Sequence, residues 1–184
     1  MKRSVIALLL TGLLLLFAGC AKEEPSPEPG PEPGARCTLT VSFDYKKQSG
    51  SGSNQFAVWI EDVDGEHIET LYATQFTAAG GYKKRPDSLA VWVERAMGKA
   101  DFDAVAGATP KSGRVAYTMD FTYIPPGTYR FFVEGTLRMK SYVLFTGELD
   151  VCCEETSAEA IPAYFPEGAA EQGMITNVKA EFIP

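Results

Sequence analysis

Hydrophobic and polar residues alternate at every second position along most of the chain after residue 36. In the stretch CTLTVSFDY, Leu39, Val41 and Phe43 alternate with threonine and serine, which is the period of a β-strand with one buried face. Comparable runs follow in QFAVWIEDVDGEHIETLYATQF, GRVAYTMDFTYI, GTYRFFVEGTL, KSYVLFTGELDVC and MITNVKAEFI. The pattern predicts roughly seven or eight strands that are joined by short turns.

One segment, RPDSLAVWVERAMGK, replaces the alternation with a helical spacing. Asp87 is a predicted N-cap, and Gly98 is a predicted glycine just beyond the C-terminus of the helix. Its apolar residues share one helical face, and they are Leu89, Trp92, Val93, Ala96 and Met97. We therefore expect a single short helix between the strands.

Turn and loop signals complete the predicted fold. Asp64-Gly65 lies between two strand-like runs and predicts a hairpin turn in which both residues have positive φ. The segment EETSAEAIPAYFPEGAAEQG, residues 154–173, is predicted to be a loop. Residues 36–184 are thus expected to form one mainly β domain, an immunoglobulin-like β-sandwich with one short helix insert.

Residues 1–19 have the features of a secretory signal peptide. Lys2 and Arg3 precede an apolar run that is too short to span a bilayer comfortably. The run ends in LFAGC, which resembles the lipobox of bacterial lipoproteins, and this resemblance implies that the Cys20 thiol carries acyl chains such as palmitate. The alternative is an ordinary signal peptide followed by a chance cysteine.

Residues 20–35 form a predicted tether, because AKEEPSPEPGPEPGA has no large apolar side chain to bury. In the polyproline II conformation, at ~3.1 Å per residue, this segment would hold a domain up to roughly 45 Å from the membrane. Lys22-Glu23-Glu24 resembles the surface-export signal of some Gram-negative lipoproteins, and a solvated linker is the alternative. We expect a lipid-anchored cell-envelope protein, at the outer membrane or exposed on the cell surface.

Charge and cysteine content narrow the classes of function. Removal of the leader leaves 15 basic and 24 acidic residues, and the resulting net charge of −9 argues against nucleic-acid binding.

The predicted domain contains three cysteines, Cys37, Cys152 and Cys153. Because their number is odd, they cannot all form pairs with one another, and Cys37 could pair with either of the other two. With one histidine, a zinc or haem site is not expected, and the spacing from Asp62 to Gly65 does not fit a calcium loop.

Residues suited to enzymatic catalysis are sparse. His67, the only histidine, is predicted to be a solvated strand residue just after the hairpin turn. Thr109 has no adjacent base for a nucleophilic mechanism, and the chain has no G-x-S-x-G motif. Lys111-Ser112-Gly113 has the wrong order for a phosphate-binding loop. We therefore expect that the protein is not an enzyme.

Several spaced segments resemble a single family. VWIEDVDGEHIETL, then Arg85 with Leu89 and Trp92, then DAVAGATPKSG and IPPGTYRFFVEGTLR are similar to the domain of unknown function 2271 family of predicted periplasmic proteins. The resemblance covers about Thr38 to Val151. It implies a secreted β-rich module that is often associated with extracytoplasmic redox proteins, and it implies no mechanism.

DAVAGATPKSG also resembles the acceptor sequence of FAD:protein FMN transferases, in which a threonine is joined to FMN through its phosphate. Asp103, Gly107, Ala108 and Thr109 match this pattern. The resemblance implies that Thr109 carries covalent FMN and that the other three residues belong to the same cofactor-binding segment. The small residues before Thr109 leave its hydroxyl accessible on an exposed turn.

The acceptor segment departs from that pattern at two positions. Ala106 and Lys111 stand where serine or threonine is usual, although Ser112 is adjacent to the second position. The alternative interpretation is an unmodified turn that leads into the strand starting at Gly113.

If FMN is attached, nearby cations and aromatic rings are its predicted partners. Lys83, Lys84 and Arg85 would contact the phosphate or the ring, and Trp92 or Tyr82 would stack on the ring. The alternatives are a solvated approach to the helix for the basic triplet and core packing for Trp92.

These patterns together predict a binding or accessory module of an extracytoplasmic redox or uptake system, with FMN esterified to Thr109. In that case the cofactor supplies the redox chemistry. The expected partners are the membrane, through the lipid, and an envelope redox or uptake protein. The alternative is a non-redox surface module that binds a glycan or another protein through exposed aromatics and loops.

Overall fold

The computed structural model describes residues 36–49, 53–96, 106–137, 142–164 and 173–184. The strands formed by these residues are β1 (Cys37–Tyr45), β2 (Gln55–Glu61), β3 (His67–Thr74), β4 (Ala106–Gly107), β5 (Gly113–Phe121), β6 (Gly127–Thr136), β7 (Tyr142–Val151), β8 (Thr156–Glu159), β9 (Ile161–Tyr164) and β10 (Ile175–Ile183). The helices are α1 (Gln75–Ala78), a 3-10 helix (Gly81–Lys83) and α2 (Ala90–Ala96). The predicted leader, Cys20 and the tether lie outside the described residues.

The strands form two sheets. The small sheet has the order β5-β1-β10-β8, and all its pairs are antiparallel. The large sheet has the order β4-β3-β2-β6-β7-β9, and only the β3–β4 pair is parallel. The prediction of a mainly β sandwich is confirmed, and the immunoglobulin-like assignment within that class stays a prediction.

The main hydrophobic core lies between the sheets, and a second cluster lies outside the large sheet. Leu39, Val41 and Phe43 of β1 are buried, as the alternation predicted. Every residue of β2 is buried, because one face packs on the core and α2 covers part of the other. Trp59 and Trp92 are the largest side chains of the second cluster, and burial of each contributes roughly 2 kcal/mol.

The helical insert differs from the prediction in its number of elements and in its cap. It contains two short α-helices and a 3-10 helix, and α2 begins at Ala90, so Asp87 is not its N-cap. The Glu134 carboxylate of β6 instead accepts the N–H groups of Val91, at 3.2 Å, and Trp92, at 2.7 Å. A long-range acceptor thus replaces the local one, which the sequence pattern cannot indicate. Met97 and Gly98 lie outside the described residues.

The hairpin at Asp64-Gly65 is confirmed, but its predicted turn type is wrong. Only Gly65 has positive φ, at 85°, and the Gly65 N–H donates to the Asp62 carbonyl at 3.2 Å. The Asp62 Oδ1 atom accepts the N–H groups of Asp64 and Glu66 at 3.0 and 2.8 Å. This side chain stabilises a longer turn in which Asp64 keeps negative φ.

The predicted loop at residues 154–173 contains two strands in its described part. β8 pairs with β10 in the small sheet, and β9 pairs with β7 in the large sheet. The chain changes sheets at Ala160, whose N–H donates to the Val178 carbonyl at 3.0 Å. Each strand has four residues and lies at a sheet edge, so its sequence is too short to display a clear period.

His67 is buried, which contradicts its predicted solvated position. Its Nε2 atom lies 2.8 Å from the Thr70 hydroxyl, to which the Trp92 indole N–H also donates at 3.1 Å. The packing of α2 against β3 therefore removes this face of the strand from water.

The three cysteines within the described ranges are free thiols, so the predicted pairing of Cys37 with Cys152 or Cys153 is not formed. Cys37 begins β1 in the small sheet, where its thiol donates to the Phe121 carbonyl at 3.6 Å. Cys152 follows β7 of the large sheet, and its thiol donates to the Glu154 carbonyl at 3.6 Å. Over the same ranges, no helix combines the length and the apolar character needed to cross a membrane.

Candidate functional site

The strand order brings the predicted FMN acceptor segment to one end of the large sheet. β4 runs parallel to β3, with Gly107 opposite Thr74. Because parallel strands leave a sheet in the same direction, Ala108 and Thr109 emerge at the same end as Gln75 and Phe76, the first two residues of α1. This end of the sheet therefore carries both the acceptor segment and the helical insert.

Two further connections meet at this end. Asn54, just before β2, accepts the Thr109 hydroxyl through its carbonyl at 3.0 Å. Lys47, just after β1, donates its N–H to the Ser112 hydroxyl at 2.9 Å. We refer to residues 46–48, 53–55, 72–85 and 106–112 as the Thr109 end.

The opposite end of the sandwich contains the β2–β3 turn and the point at which the chain enters β1. Cys37 pairs with Phe121 of β5, and the chain then returns through residues 122–126 to Gly127, which starts β6. Burial raises the pKa of Tyr129, and the Asp62 carboxylate of the β2–β3 turn raises it further. The name hairpin end is used below for residues 36–38, 61–67, 120–130 and 148–156.

Tyr72 and Gly107 fix the acceptor segment against β3. The Tyr72 hydroxyl donates to the Ala108 carbonyl at 2.8 Å. A Cβ atom on Gly107 would lie 2.8 Å from the Tyr72 ring, so only glycine permits this approach. The next residue but one, Thr109, is half-buried with its hydroxyl directed to Asn54. The segment is therefore held in one position on the surface.

Aromatic packing orients Tyr72 in turn. Its ring stacks on Tyr117 with centroids 4.1 Å apart and on Phe56 with centroids 5.1 Å apart. Burial raises the pKa of Tyr72, and a hydrogen bond with Tyr117 partly opposes that shift. The Tyr72 phenol thus remains protonated at neutral pH and can donate to the acceptor segment.

A buried polar network lies behind Thr109. The Asn54 carbonyl also accepts the Gln55 side-chain N–H at 3.0 Å. The Gln55 carbonyl oxygen accepts the hydroxyls of Thr74, at 2.6 Å, and Thr77, at 3.2 Å. Thr77 in turn lies 2.7 Å from the Ser88 hydroxyl. These satisfied bonds join the acceptor segment to α1 and to the turn before α2.

Arg85 extends this network to the surface. Its guanidinium donates to the Ser53 hydroxyl at 3.3 Å and to the Leu137 carbonyl at 2.9 Å. Ser53 also accepts the Gln55 side-chain N–H at 2.9 Å. The structure therefore brings Arg85, one of the predicted FMN partners, to the same end as Thr109.

The remaining residues of the predicted FMN site differ in their position and exposure. Trp92 is buried in the second hydrophobic cluster, so the interpretation as core packing is confirmed and Trp92 offers no stacking surface to a flavin. Tyr82 is half-buried, and the Lys83 ammonium lies 6.0 Å from the centre of its ring. Lys84 is exposed. Asp103 lies outside the described residues.

The two ends differ in charge. Within the described ranges, the basic residues at the Thr109 end are Lys46, Lys47, Lys83, Lys84, Arg85 and Lys111. Acidic residues predominate at the hairpin end, and they are Glu61, Asp62, Asp64, Glu66, Asp120, Glu148, Asp150, Glu154 and Glu155. Arg36 and Arg130 are the cations within these ranges, and Arg95 of α2 contacts Glu61 from outside them. The Thr109 end thus attracts anions in a protein that is acidic as a whole.

This arrangement fits an FMN phosphoester in three respects. The Thr109 hydroxyl is held at the surface, its neighbour Ala108 is exposed and small, and cations for a phosphate lie at the same end. The resemblance to acceptor sequences pointed to Thr109, Gly107 and Ala108. It did not indicate Tyr72, because its role depends on the pairing of β3 with β4.

Fold and site together define a two-sheet β-sandwich that presents a threonine on a fixed turn at its basic end. Residues 36–163 match the family described as "Predicted periplasmic protein (DUF2271)", and the chain belongs to that family. The predicted family membership is confirmed, and the description agrees with a place in the cell envelope. Comparisons with curated proteins and with solved structures find no match.

Proposed function

We propose that this protein is an accessory module of an extracytoplasmic redox or uptake system and that it carries FMN on Thr109 through a phosphoester bond. The observation that supports this proposal best is the position of the Thr109 hydroxyl. It lies on a turn fixed by Tyr72 and Asn54, at the end of the molecule where cations gather. An ordinary surface turn needs neither a fixed hydroxyl nor a surrounding set of cations.

The proposed modification transfers the FMN moiety of FAD to the threonine. The Thr109 oxygen forms a new bond to the flavin phosphate, the phosphoanhydride bond of FAD breaks, and AMP leaves while the hydroxyl loses its proton. The transferase supplies the catalytic groups, so this chain has only to present the oxygen. In doing so, Thr109 gives up its 3.0 Å bond to the Asn54 carbonyl, whose bond from Gln55 remains.

The chain's own residues have simple roles in the modified protein. Tyr72 and Gly107 hold the acceptor segment, and the network behind Gln55 keeps that end rigid. The attached flavin supplies electron transfer, and the protein supplies its position in the envelope. No catalytic residue of this chain is required, which agrees with the proposal that the protein is not an enzyme.

Intact-mass measurement tests the proposed attachment directly. The protein is produced with its cognate FAD:protein FMN transferase, beside the variants Thr109→Ala and Ser112→Ala. We expect the mass of one added FMN in the native protein and in Ser112→Ala, with a yellow colour, and the bare mass in Thr109→Ala. Ser112 is the matched control because it is the neighbouring hydroxyl. A bare mass in all three samples contradicts the proposal.

We also propose that acylation of Cys20 attaches the protein to the outer membrane and that residues 20–35 act as a tether. The lipobox resemblance of LFAGC supports this, and the family description places such proteins in the periplasm. Two or three acyl chains are needed for durable attachment, since a single chain binds only marginally. Cys20→Ser should move the protein from the membrane fraction to the soluble fraction, and continued tight attachment would contradict acylation.

A second candidate function is a non-redox surface module that binds a glycan or another protein. Tyr123 and Val63 support it, because both are apolar side chains more than half exposed at the hairpin end. Exposed aromatic rings stack readily on sugars and on other proteins. Glycan-array binding that is lost in Tyr123→Ala, by a protein without bound flavin, would favour this function over the first.

A further inference from the structure

A groove opens beside the acceptor segment at the Thr109 end. Its volume is about 460 Å³, which lies within the range of small-molecule sites. It runs between α1 and the 3-10 helix, and its lining residues are Gln75, Phe76, Ala79, Gly80, Gly81 and Lys84. One wall is therefore aromatic and one edge is cationic.

Strand pairing places the groove next to Thr109. Thr74 pairs with Gly107 in the parallel β3–β4 pair, and one residue later Gln75 begins α1. The following residues of the two segments, Phe76 and Thr109, leave the sheet at the same end, and α1 lies against β4. A group attached to Thr109 through a short flexible chain is thus within reach of the groove.

Phe76 is the aromatic wall of the groove. Its side chain is 38 % exposed, whereas most large apolar residues of the described chain are buried. A Cβ atom on Gly81 would lie 2.3 Å from the Phe76 carbonyl and 2.6 Å from its ring, so glycine permits this close approach of the ring to the 3-10 helix. The Arg85 guanidinium carbon lies 5.8 Å from the centre of the Phe76 ring. Gly81 and Arg85 therefore position Phe76 while part of its side chain stays exposed.

We propose that this groove binds the isoalloxazine ring of an FMN attached to Thr109, an inference that rests on the proposed function. The isoalloxazine ring is flat and aromatic, so its face can stack on Phe76. One edge of the ring has oxygen and nitrogen atoms that can accept hydrogen bonds from Lys84. The ribityl chain between phosphate and ring would link the ring to Thr109, which leaves the sheet at the same end as α1. Arg85 and Lys84 also favour a ligand that becomes anionic on reduction.

Spectroscopy of the modified protein tests the groove. The native protein and the variant Phe76→Ala are produced with the transferase, and intact mass is recorded for both before flavin fluorescence and visible circular dichroism are compared. We expect a quenched, optically active flavin in the native protein. In Phe76→Ala the ratio of bound to free ring should fall roughly fivefold, so that fluorescence rises and the dichroism weakens.

Two further variants show whether a change in the flavin spectra comes from the groove or from misfolding of Phe76→Ala. Lys84→Gln changes an exposed side chain, and we expect it to weaken the visible dichroism and to lower the flavin midpoint potential while the far-ultraviolet spectrum stays native. Tyr123→Ala is the matched control, because it removes an exposed aromatic ring at the hairpin end. We expect its flavin spectra to equal those of the native protein.

The outcomes separate the groove from the attachment. If the added FMN mass is present and both Phe76→Ala and Lys84→Gln keep native flavin spectra, the groove inference is overturned while the attachment stands. If Tyr123→Ala changes the spectra as strongly as Phe76→Ala, the groove inference is also overturned. A bare mass in the native protein refutes the attachment itself, and the groove inference fails with it.

Discussion

The two ends of the sandwich fix their surface turns in different ways. Each uses a tyrosine hydroxyl that donates to a turn carbonyl at 2.8 Å, Tyr72 to Ala108 at the Thr109 end and Tyr129 to Pro125 at the hairpin end. The partners are 36 residues apart in the first pair and 4 apart in the second. A local contact can form within the turn itself, whereas the Thr109 end requires that distant strands have already paired.

The polar side chains at the two ends also differ in how far apart in the sequence their hydrogen-bond partners lie. Asp62 closes the hairpin turn with bonds to residues 2 and 4 positions away. Gln55 reaches Thr74 and Thr77, which are 19 and 22 positions away. Asp62 therefore closes its turn from within the turn, although Arg95 and Arg130 also donate to the Gly65 and Val63 carbonyls from distant elements. The bonds of Gln55 to Thr74 and Thr77 form only in the completed fold. Changes far from Thr109 should consequently disturb that end more than the other.

The largest expected change in the free energy of unfolding comes from Glu134, whose carboxyl group caps α2. This helix packs on the large sheet between the two ends. Burial raises the pKa of Glu134 from 4.5 to about 7, although the N–H groups of Trp92 and Val91 partly lower it. Between about pH 4.5 and pH 7, Glu134 therefore keeps its proton in the folded protein, whereas the same group has lost its proton in the unfolded chain. Stability should fall as the pH rises through this window, by on the order of 3 kcal/mol.

Urea unfolding of the native protein and of Glu134→Gln between pH 4 and pH 8 measures this effect. The amide cannot titrate, so the difference in unfolding free energy between the two proteins should change across that window. A constant difference would show that Glu134 keeps its ordinary pKa. Amide hydrogen exchange near Thr109 and near Gly65 would show whether both ends loosen together.

The next effect compares two glycines, one at each end. Gly107→Ala would place a Cβ atom 2.8 Å from the ring of Tyr72, and overpacking of this kind costs about 2 kcal/mol. Gly65→Ala meets no backbone atom within 4 Å, but it forces alanine into φ +85°, which costs about 1 kcal/mol. Thermal unfolding of both variants should rank them in this order. Equal losses would mean that Tyr72 moves aside freely.

A smaller effect compares the two tyrosine hydroxyls. Tyr72→Phe and Tyr129→Phe each remove one 2.8 Å bond, and each should lower the unfolding free energy by about 1 kcal/mol. Only Tyr72→Phe should slow FMN transfer to Thr109, because it releases the acceptor segment. Transfer rates that are equal in the two variants would contradict the positioning role of Tyr72.

The smallest effect compares two ion pairs. Arg114 and Asp44 lie 3.5 Å apart, and both side chains are about half exposed, so Arg114→Gln should cost about 0.5 kcal/mol or less. Arg95 and Glu61 lie 3.4 Å apart, and Glu61 is buried, so Arg95→Gln should cost more, about 1 kcal/mol. Denaturant unfolding at low and high salt would check both values. A larger loss for Arg114→Gln would contradict this ranking.

The sequence predicted the parts of the fold that local patterns determine. The alternation in β1 gave its buried face correctly, and Asp64-Gly65 marked the hairpin. The start of α2 was predicted wrongly, because its cap comes from Glu134, more than 40 residues away in the chain. His67 was misassigned for the same reason, since no local signal shows that α2 covers β3.

The candidate site was predictable only in part. The resemblance to acceptor sequences indicated Thr109, and it also suggested the basic triplet that ends at Arg85. No sequence pattern indicated Phe76 or Gln55 as residues of the site, because their roles arise only when α1 and β2 come together beside the acceptor segment. Trp92 lies on the apolar stripe of its helix, which already favoured core packing, and its burial confirms that interpretation.

The chain enters β1 at Cys37, at the hairpin end and therefore opposite the Thr109 end. The strands β1 and β6 run between the two ends and contain nine and ten residues, which at about 3.3 Å per residue makes the body about 30 Å long. Under the proposed attachment through Cys20, the tether would therefore join the body at the end opposite Thr109. The proposed FMN would then lie about one body length away from the point at which the tether joins.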